Sequence, residues 1–139
     1  MKKLMVLGVI FCSFMNSCEK PILPKKYTIE IRQNNWTDTM GDDYETKTEE
    51  IITKNLKEAY ATGYKNYMIS KKVSEATNGK IARRIIISFR VLDEKRKNIV
   101  TDIPPKSLDS IHTTIDKETE YITDDLKNKI IDYQNTKTK

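Results

Sequence analysis

Glycine and proline are scarce, four of each in 139 residues, and there are two cysteines, one histidine and one tryptophan. So little glycine and proline excludes collagen-like and Gly/Pro low-complexity chains. Two cysteines cannot build a disulfide-dense scaffold, and one histidine falls short of the several nitrogen or sulfur ligands of a zinc site. Apolar runs are too few for a polytopic membrane protein. No phosphate-binding G-x-x-x-x-G-K-[ST], no G-x-G-x-x-G, no H-E-x-x-H and no G-x-S-x-G elbow occurs. What is present is polar: 37% hydrophobic residues, 32% charged and a formal net charge of +5. Soluble domains average about 45–50% apolar and about 25% charged, so one small domain fits this chain and a second does not.

The one sustained apolar run is Leu4 to Met15, preceded by Lys2 and Lys3 and followed by Asn16, Ser17 and Cys18. Its twelve residues rise about 18 Å as a helix, well short of the roughly 30 Å hydrocarbon layer. A basic start, a short apolar segment and a small residue before a processing site describe a secretory signal over residues 1–17. Met15-Asn16-Ser17-Cys18 resembles the lipobox of bacterial lipoproteins, with Met15 at the bulky apolar position, Ser17 at the small position and Cys18 as lipid acceptor. Asn16 departs from the usual small residue. Cys12 is a poor rival, since Phe11 before it is large. The resemblance covers the first eighteen residues only. It implies export and lipid anchoring to the cell envelope, on the periplasmic or surface face of either membrane. Several acyl chains at about 0.8 kcal/mol per buried CH₂ make such anchoring stable. A chain starting at Cys18 would carry 23 basic and 20 acidic residues, a net +3, and its thioether could form neither a disulfide nor a thiolate.

Residues 18–26 then form a short tether, which Pro21 and Pro24 bias toward extended polyproline conformation. Residues 27–136 form a single domain, with a frayed tail at 137–139. Tyr27 to Arg32 alternates apolar and polar residues, a half-buried strand. Asn34 to Asp43 is expected as a polar loop carrying Trp36. Thr46 and Glu49 have capping-box spacing, and Ile52, Leu56, Ala59 and Tyr60 recur at helical intervals before Gly63, which predicts a helix over about 47–62. Tyr67, Ile69 and Val73 are expected in a strand joined through an Asn78-Gly79 turn to a second strand bearing Ile85, Ile87, Phe89 and Val91. A two-residue turn would set the two apolar rows on opposite faces, so a longer loop or a bulge is expected near 76–81. Ile99, Thr101 and Ile103 suit an edge strand ended by Pro104 and Pro105. Helical spacing returns over about 117–134, with 107–116 left open because Thr113, Thr114 and Ile115 are β-branched. The class is α+β: a small antiparallel sheet of three or four strands with two helices on one face, in the order β-α-β-β-(β)-α.

Charge is uneven along the chain. Lys65 to Lys97 holds ten basic and three acidic residues, a net +7, whereas 30–58 and 102–132 each hold four basic against eight acidic, a net −4. Lysines number twenty and arginines five, a skew that base composition alone can produce, so lysine counts carry little weight. Arg83, Arg84, Arg90 and Lys71 are candidates to grip an anionic group from one sheet face; a solvated basic face is the alternative. Trp36 is a candidate partner anchor, or else a lid over the sheet end. Phe89 sits among apolar residues and is expected in the core, not as a base-stacking platform, so no nucleic-acid partner is expected. Counting from Asp38, Met40 and Asp43 break the calcium-loop pattern, and the acids from Asp38 to Glu50 are expected to complement a helix N-terminus. His112 is expected at the surface, with no metal and no cofactor.

These features lead to a non-enzymatic envelope lipoprotein, held to a membrane by its N-terminal lipid and binding an unknown protein or anionic envelope component. The alternatives are an envelope hydrolase using carboxylates, or an immunity or inhibitor lipoprotein that neutralises a toxin.

Overall fold

Alternation at Tyr27 to Arg32 does start a strand, but the strand runs on to Thr37 and turns straight back. In the computed structural model, which describes residues 21–79 and 82–137 with side chains up to 132, β1 spans Lys25–Thr37 and β2 spans Gly41–Thr53. They pair antiparallel from Lys25↔Thr53 to Thr37↔Gly41. The three residues between them are closed by Thr37, whose Oγ1 accepts from the Met40 N–H at 3.1 Å. Gly41 has φ +72°, a left-handed conformation that glycine adopts without a Cβ clash. The leader, Cys18 and the last two residues lie outside the described residues.

Helix α1 spans Leu56–Thr77, β3 Ala82–Leu92, a short 3₁₀ turn Ile99–Asp102, α2 Pro105–Thr119 and α3 Ile122–Lys137. The sheet order is β2-β1-β3, with both outer strands antiparallel to β1. They therefore run the same way, and α1 crosses over β1 to join them. The α+β class, the three-stranded antiparallel sheet and the helices beside it agree with expectation. The order along the chain does not: it is β-β-α-β-α-α.

The differences have local causes. The expected loop at 34–43 and the start of the expected helix at 47 are instead the β1–β2 hairpin. The helix is capped nine residues later and not by a capping box: the Asn55 side chain accepts from the Lys57 N–H at 2.9 Å, while Thr53 Oγ1 accepts from the Asn55 N–H at 3.1 Å and donates to Glu58 at 2.5 Å. Gly63 does not stop the helix. It lies buried where α1 crosses the sheet, and a Cβ there would sit 2.5 Å from Val91 Cγ2. Tyr67, Ile69 and Val73 belong to α1, not to a strand. Asn78 ends that helix: its side chain donates to the Arg84 carbonyl at 3.0 Å and accepts from the Arg84 N–H at 2.7 Å, mimicking a neighbouring strand. Ile99 to Asp102 forms a 3₁₀ turn rather than an edge strand, and Pro105 starts α2 at a position where a missing N–H costs nothing. The segment left open, 107–116, is helical, and the expected 117–134 helix is broken near Glu120.

The core lies between α1 and the sheet. Tyr27, Ile29, Val91, Ala59, Tyr60, Ile99 and Ile103 are buried there, with Ile31, Phe89 and Tyr64 packed around them. Phe89 is thus in the core layer, as expected. Helices α2 and α3 pack on α1, so α1 is the layer that meets the sheet. His112 is not a free surface histidine: it is half-buried, its Nε2 lies 2.9 Å from Tyr60 Oη, and its ring centroid lies 4.2 Å from that of Tyr64.

Candidate functional site: the open face of the sheet

Strand alternation assigns side chains to the two faces. Ile29 and Val91 meet α1, so Glu30, Arg32, Asn34 and Trp36 point the other way, together with Tyr44 and Thr46 of β2. On β3 the pairing shifts register between Arg32 and Gln33, leaving Ile87 unpaired. A bulge sits there and reverses the alternation along β3. The loop or bulge expected near 76–81 belongs to a hairpin that α1 replaces, and it falls partly on residues 80 and 81, outside the described residues. Arg90 and Ser88 face the open side on one flank of the bulge, and Ile85 and Arg83 on the other, whereas Ile86 turns inward and is buried. Ile85 and Ile87, expected in the core row, are 50% and 43% exposed.

The candidate residues therefore separate. Arg83, Arg90 and Trp36 share the open face. Arg84, opposite Asn35, falls on the helix side, and Lys71 lies exposed on α1. The expected acidic complement to a helix start is corrected too, since Asp42 to Glu50 line β2. Among the described residues, no group of three or more His, Cys, Asp or Glu converges as a metal site would require.

Four residues that were not singled out complete the face. Glu30 is 5% exposed. Its two oxygens accept from Arg90 Nε at 2.5 Å and from Arg96 Nη2 at 2.6 Å. Burial alone would raise the Glu30 pKa, but the hydrogen bonds and charges of Arg90 and Arg96 outweigh it and hold the carboxyl below the ordinary glutamate range. Arg96 is placed by a tight turn in which Asp93 Oδ1 accepts from the Lys95 and Lys97 N–H groups, both at 2.9 Å. It has φ 65°, a left-handed conformation that an arginine adopts only at some cost. Its guanidinium meets Glu30, an end that a glycine in the same turn would leave empty.

Along the rest of the face, arginines lie on aromatic rings. Arg32 Cζ is 5.5 Å from the Tyr44 ring centroid, and Arg83 Cζ is 5.3 Å from that of Trp36. Each stack contributes about 0.5–1 kcal/mol at an exposed site and fixes a guanidinium that still has free N–H edges. A shallow cavity of about 360 Å³ lies between these groups, lined by Glu30, Arg32, Tyr44, Thr46, Ser88 and Arg90. Glu30 cancels one of its two arginines, so the face keeps net positive charge at its centre. Such a surface offers planar donor forks to carboxylates or phosphates. Glu30 itself, ionised and doubly bonded, is a structural anion rather than a proton donor.

The Glu30 and Arg32 signal was present in the Tyr27–Arg32 alternation, which already sets them on the polar side. Tyr44 and Arg96 left none, because neither the hairpin nor the left-handed turn shows in local pattern. Compared with protein-family models, curated proteins and solved structures, the chain matches none of them.

Proposed function

We propose that this protein is an exported, lipid-anchored binding module of the bacterial cell envelope, and that it holds an acidic protein or an anionic envelope component on the open face of its sheet without turning it over. The observation that carries this reading is the pair of stacked guanidiniums, Arg32 on Tyr44 and Arg83 on Trp36, on a face whose residues the core does not use. Arginine, tryptophan and tyrosine are the residues that dominate binding energy at interfaces. The anchor reading is supported by the leader pattern that ends at Cys18. From Cys18 to the start of β1 at Lys25 there are seven residue steps, a reach of at most about 25 Å, which keeps the domain beside its membrane. Among the described residues no helix is long and apolar enough to cross a membrane.

Two variants test it. Cys18→Ala should remain unlipidated and leave the membrane fraction. Arg32→Glu with Arg83→Glu should stay membrane-bound but lose what the native protein retains from envelope extracts. Retention that survives the double reversal removes the open face as the binding surface.

A further inference from the structure

Three cross-strand rows follow one another along the open face. The first joins Tyr44, Asn34 and Ile85, the second Thr46, Arg32 and Ser88, and the third Thr48, Glu30 and Arg90. Successive rows on one face lie about 7 Å apart, two strand residues of about 3.3 Å each. In the middle row Arg32 turns aside onto the Tyr44 ring and leaves two short hydroxyls beside it. This is the origin of the cavity of about 360 Å³: Thr46 and Ser88 form its floor, Arg32 and Tyr44 one end, and Arg90 and Glu30 the other.

The polar groups around this space differ in the hydrogen bonds they still have to offer. The Glu30 carboxylate is occupied, one oxygen by Arg90 Nε and the other by Arg96 Nη2. Arg90 donates only that Nε–H, so its two terminal nitrogens have no partner among the described residues. The Arg32 guanidinium lies on the Tyr44 ring and donates no hydrogen bond among the described residues. The Thr46 and Ser88 hydroxyls are unpartnered there as well. Two guanidinium forks and two hydroxyls, all donors, therefore surround one space, and the charges of Arg32, Arg90 and Arg96 outweigh that of Glu30.

This donor set selects the ligand. It repels a cation. A carboxylate is planar and is satisfied by one fork, which would leave the second fork and both hydroxyls idle. A phosphate monoester is tetrahedral, offers three strong acceptor oxygens and carries about −1.5 to −2 charges at neutral pH. It can accept from both arginines and both hydroxyls at once. The cavity is larger than a phosphate group, so it also admits the first atoms of whatever carries the phosphate.

We infer that the cavity between Arg32 and Arg90 is a binding site for a phosphate monoester group, carried by a lipid headgroup or by a soluble molecule. Arg32 and Arg90 grip its terminal oxygens, Thr46 and Ser88 donate to them from the floor, and Glu30 holds Arg90 in place. The inference rests on the open face being the binding surface and names the chemistry that surface recognises.

The test titrates the full chain in detergent by calorimetry. The probes are glycerol 3-phosphate, dihexanoyl phosphatidic acid in the same micelles, succinate and methyl sulfate. At least one phosphate probe should bind at least about tenfold more tightly than succinate and methyl sulfate, the equivalent of one further hydrogen bond to a charged group. A preference for phosphatidic acid assigns the lipid source, a preference for glycerol 3-phosphate the soluble one, and equal affinity means that the phosphate alone is read. Arg32→Gln should weaken the better phosphate probe at least about tenfold. So should Ser88→Ala with Thr46→Val, which changes no charge and alters two exposed side chains. Lys71→Gln removes a charge from α1, away from the face, and should change nothing. Succinate or methyl sulfate binding as tightly as the phosphate probes would mean that the cavity reads charge alone and would overturn the inference, as would full phosphate affinity in Ser88→Ala with Thr46→Val. Failure of the wider reading looks different. If Arg32→Glu with Arg83→Glu loses envelope retention while no phosphate preference exists, the open face stands and its phosphate site falls; if retention survives that reversal while phosphate binds the native chain, the phosphate site stands and the retention role falls.

Discussion

One face of this sheet is spent on folding and the other is not. On the helix side Ile29, Val91 and Tyr27 are at most 4% exposed, and α1 comes so close that Gly63 has no room for a side chain. On the open side the strands present Arg32, Tyr44, Ser88, Arg90 and Arg83, all exposed, and the buried charge Glu30 is roofed by arginines. A small domain has little apolar surface to bury, and here it is concentrated on a single side. The lesson is a division of labour: substitutions on the two faces should act on different properties.

Ile29→Ala tests the helix side most severely. It removes a fully buried side chain under α1, and chemical denaturation should register a loss of about 2–5 kcal/mol. Gly63→Ala comes next, at about 1–3 kcal/mol, because its methyl must displace Val91, which is itself fully buried. A neutral result there would mean that α1 stands further from the sheet than the structure has it.

Glu30 is the exception on the open face, and it sharpens the division. Its pKa is lowered in the folded chain, from an ordinary value of 4.5. The stabilisation is therefore complete above the unfolded value and is lost as pH falls through the folded one. Both arginines are more than half exposed, so solvent screens the pair and Glu30→Gln should cost roughly 1–2 kcal/mol at neutral pH. The same variant should lose the native protein's extra sensitivity below pH 4.5, which denaturation at a series of pH values would measure.

How much of this was legible depended on burial. β1 showed itself because one face is buried and the other wet, which is what alternation reports; β3 showed itself by its run of β-branched and aromatic residues, but half of the apolar row read from it, Ile85 and Ile87, is exposed. β2 did not. From Asp42 to Glu50 it is exposed on both sides, so no apolar row marked it, and a Thr-x-x-Glu spacing that fits a cap in sequence lies in a strand. The second half of α1 misled for the opposite reason: Tyr64 and Tyr67 pack on Phe89, and an aromatic, β-branched helix face resembles a strand. Trp36, Arg83 and Arg90 were legible as chemistry. Their grouping was not, since it depends on a bulge at Ile87 that brings Arg83 onto the same face as Arg90, seven residues away.

The most direct trial of the open face reads stability and retention in the same variant. Arg32→Glu with Arg83→Glu should cost at most about 2 kcal/mol of stability, the sum of the two stacks, while retaining nothing specific from an envelope extract. Native retention alongside native stability would contradict a binding role for that face, and a loss of several kcal/mol would show that it belongs to the fold after all.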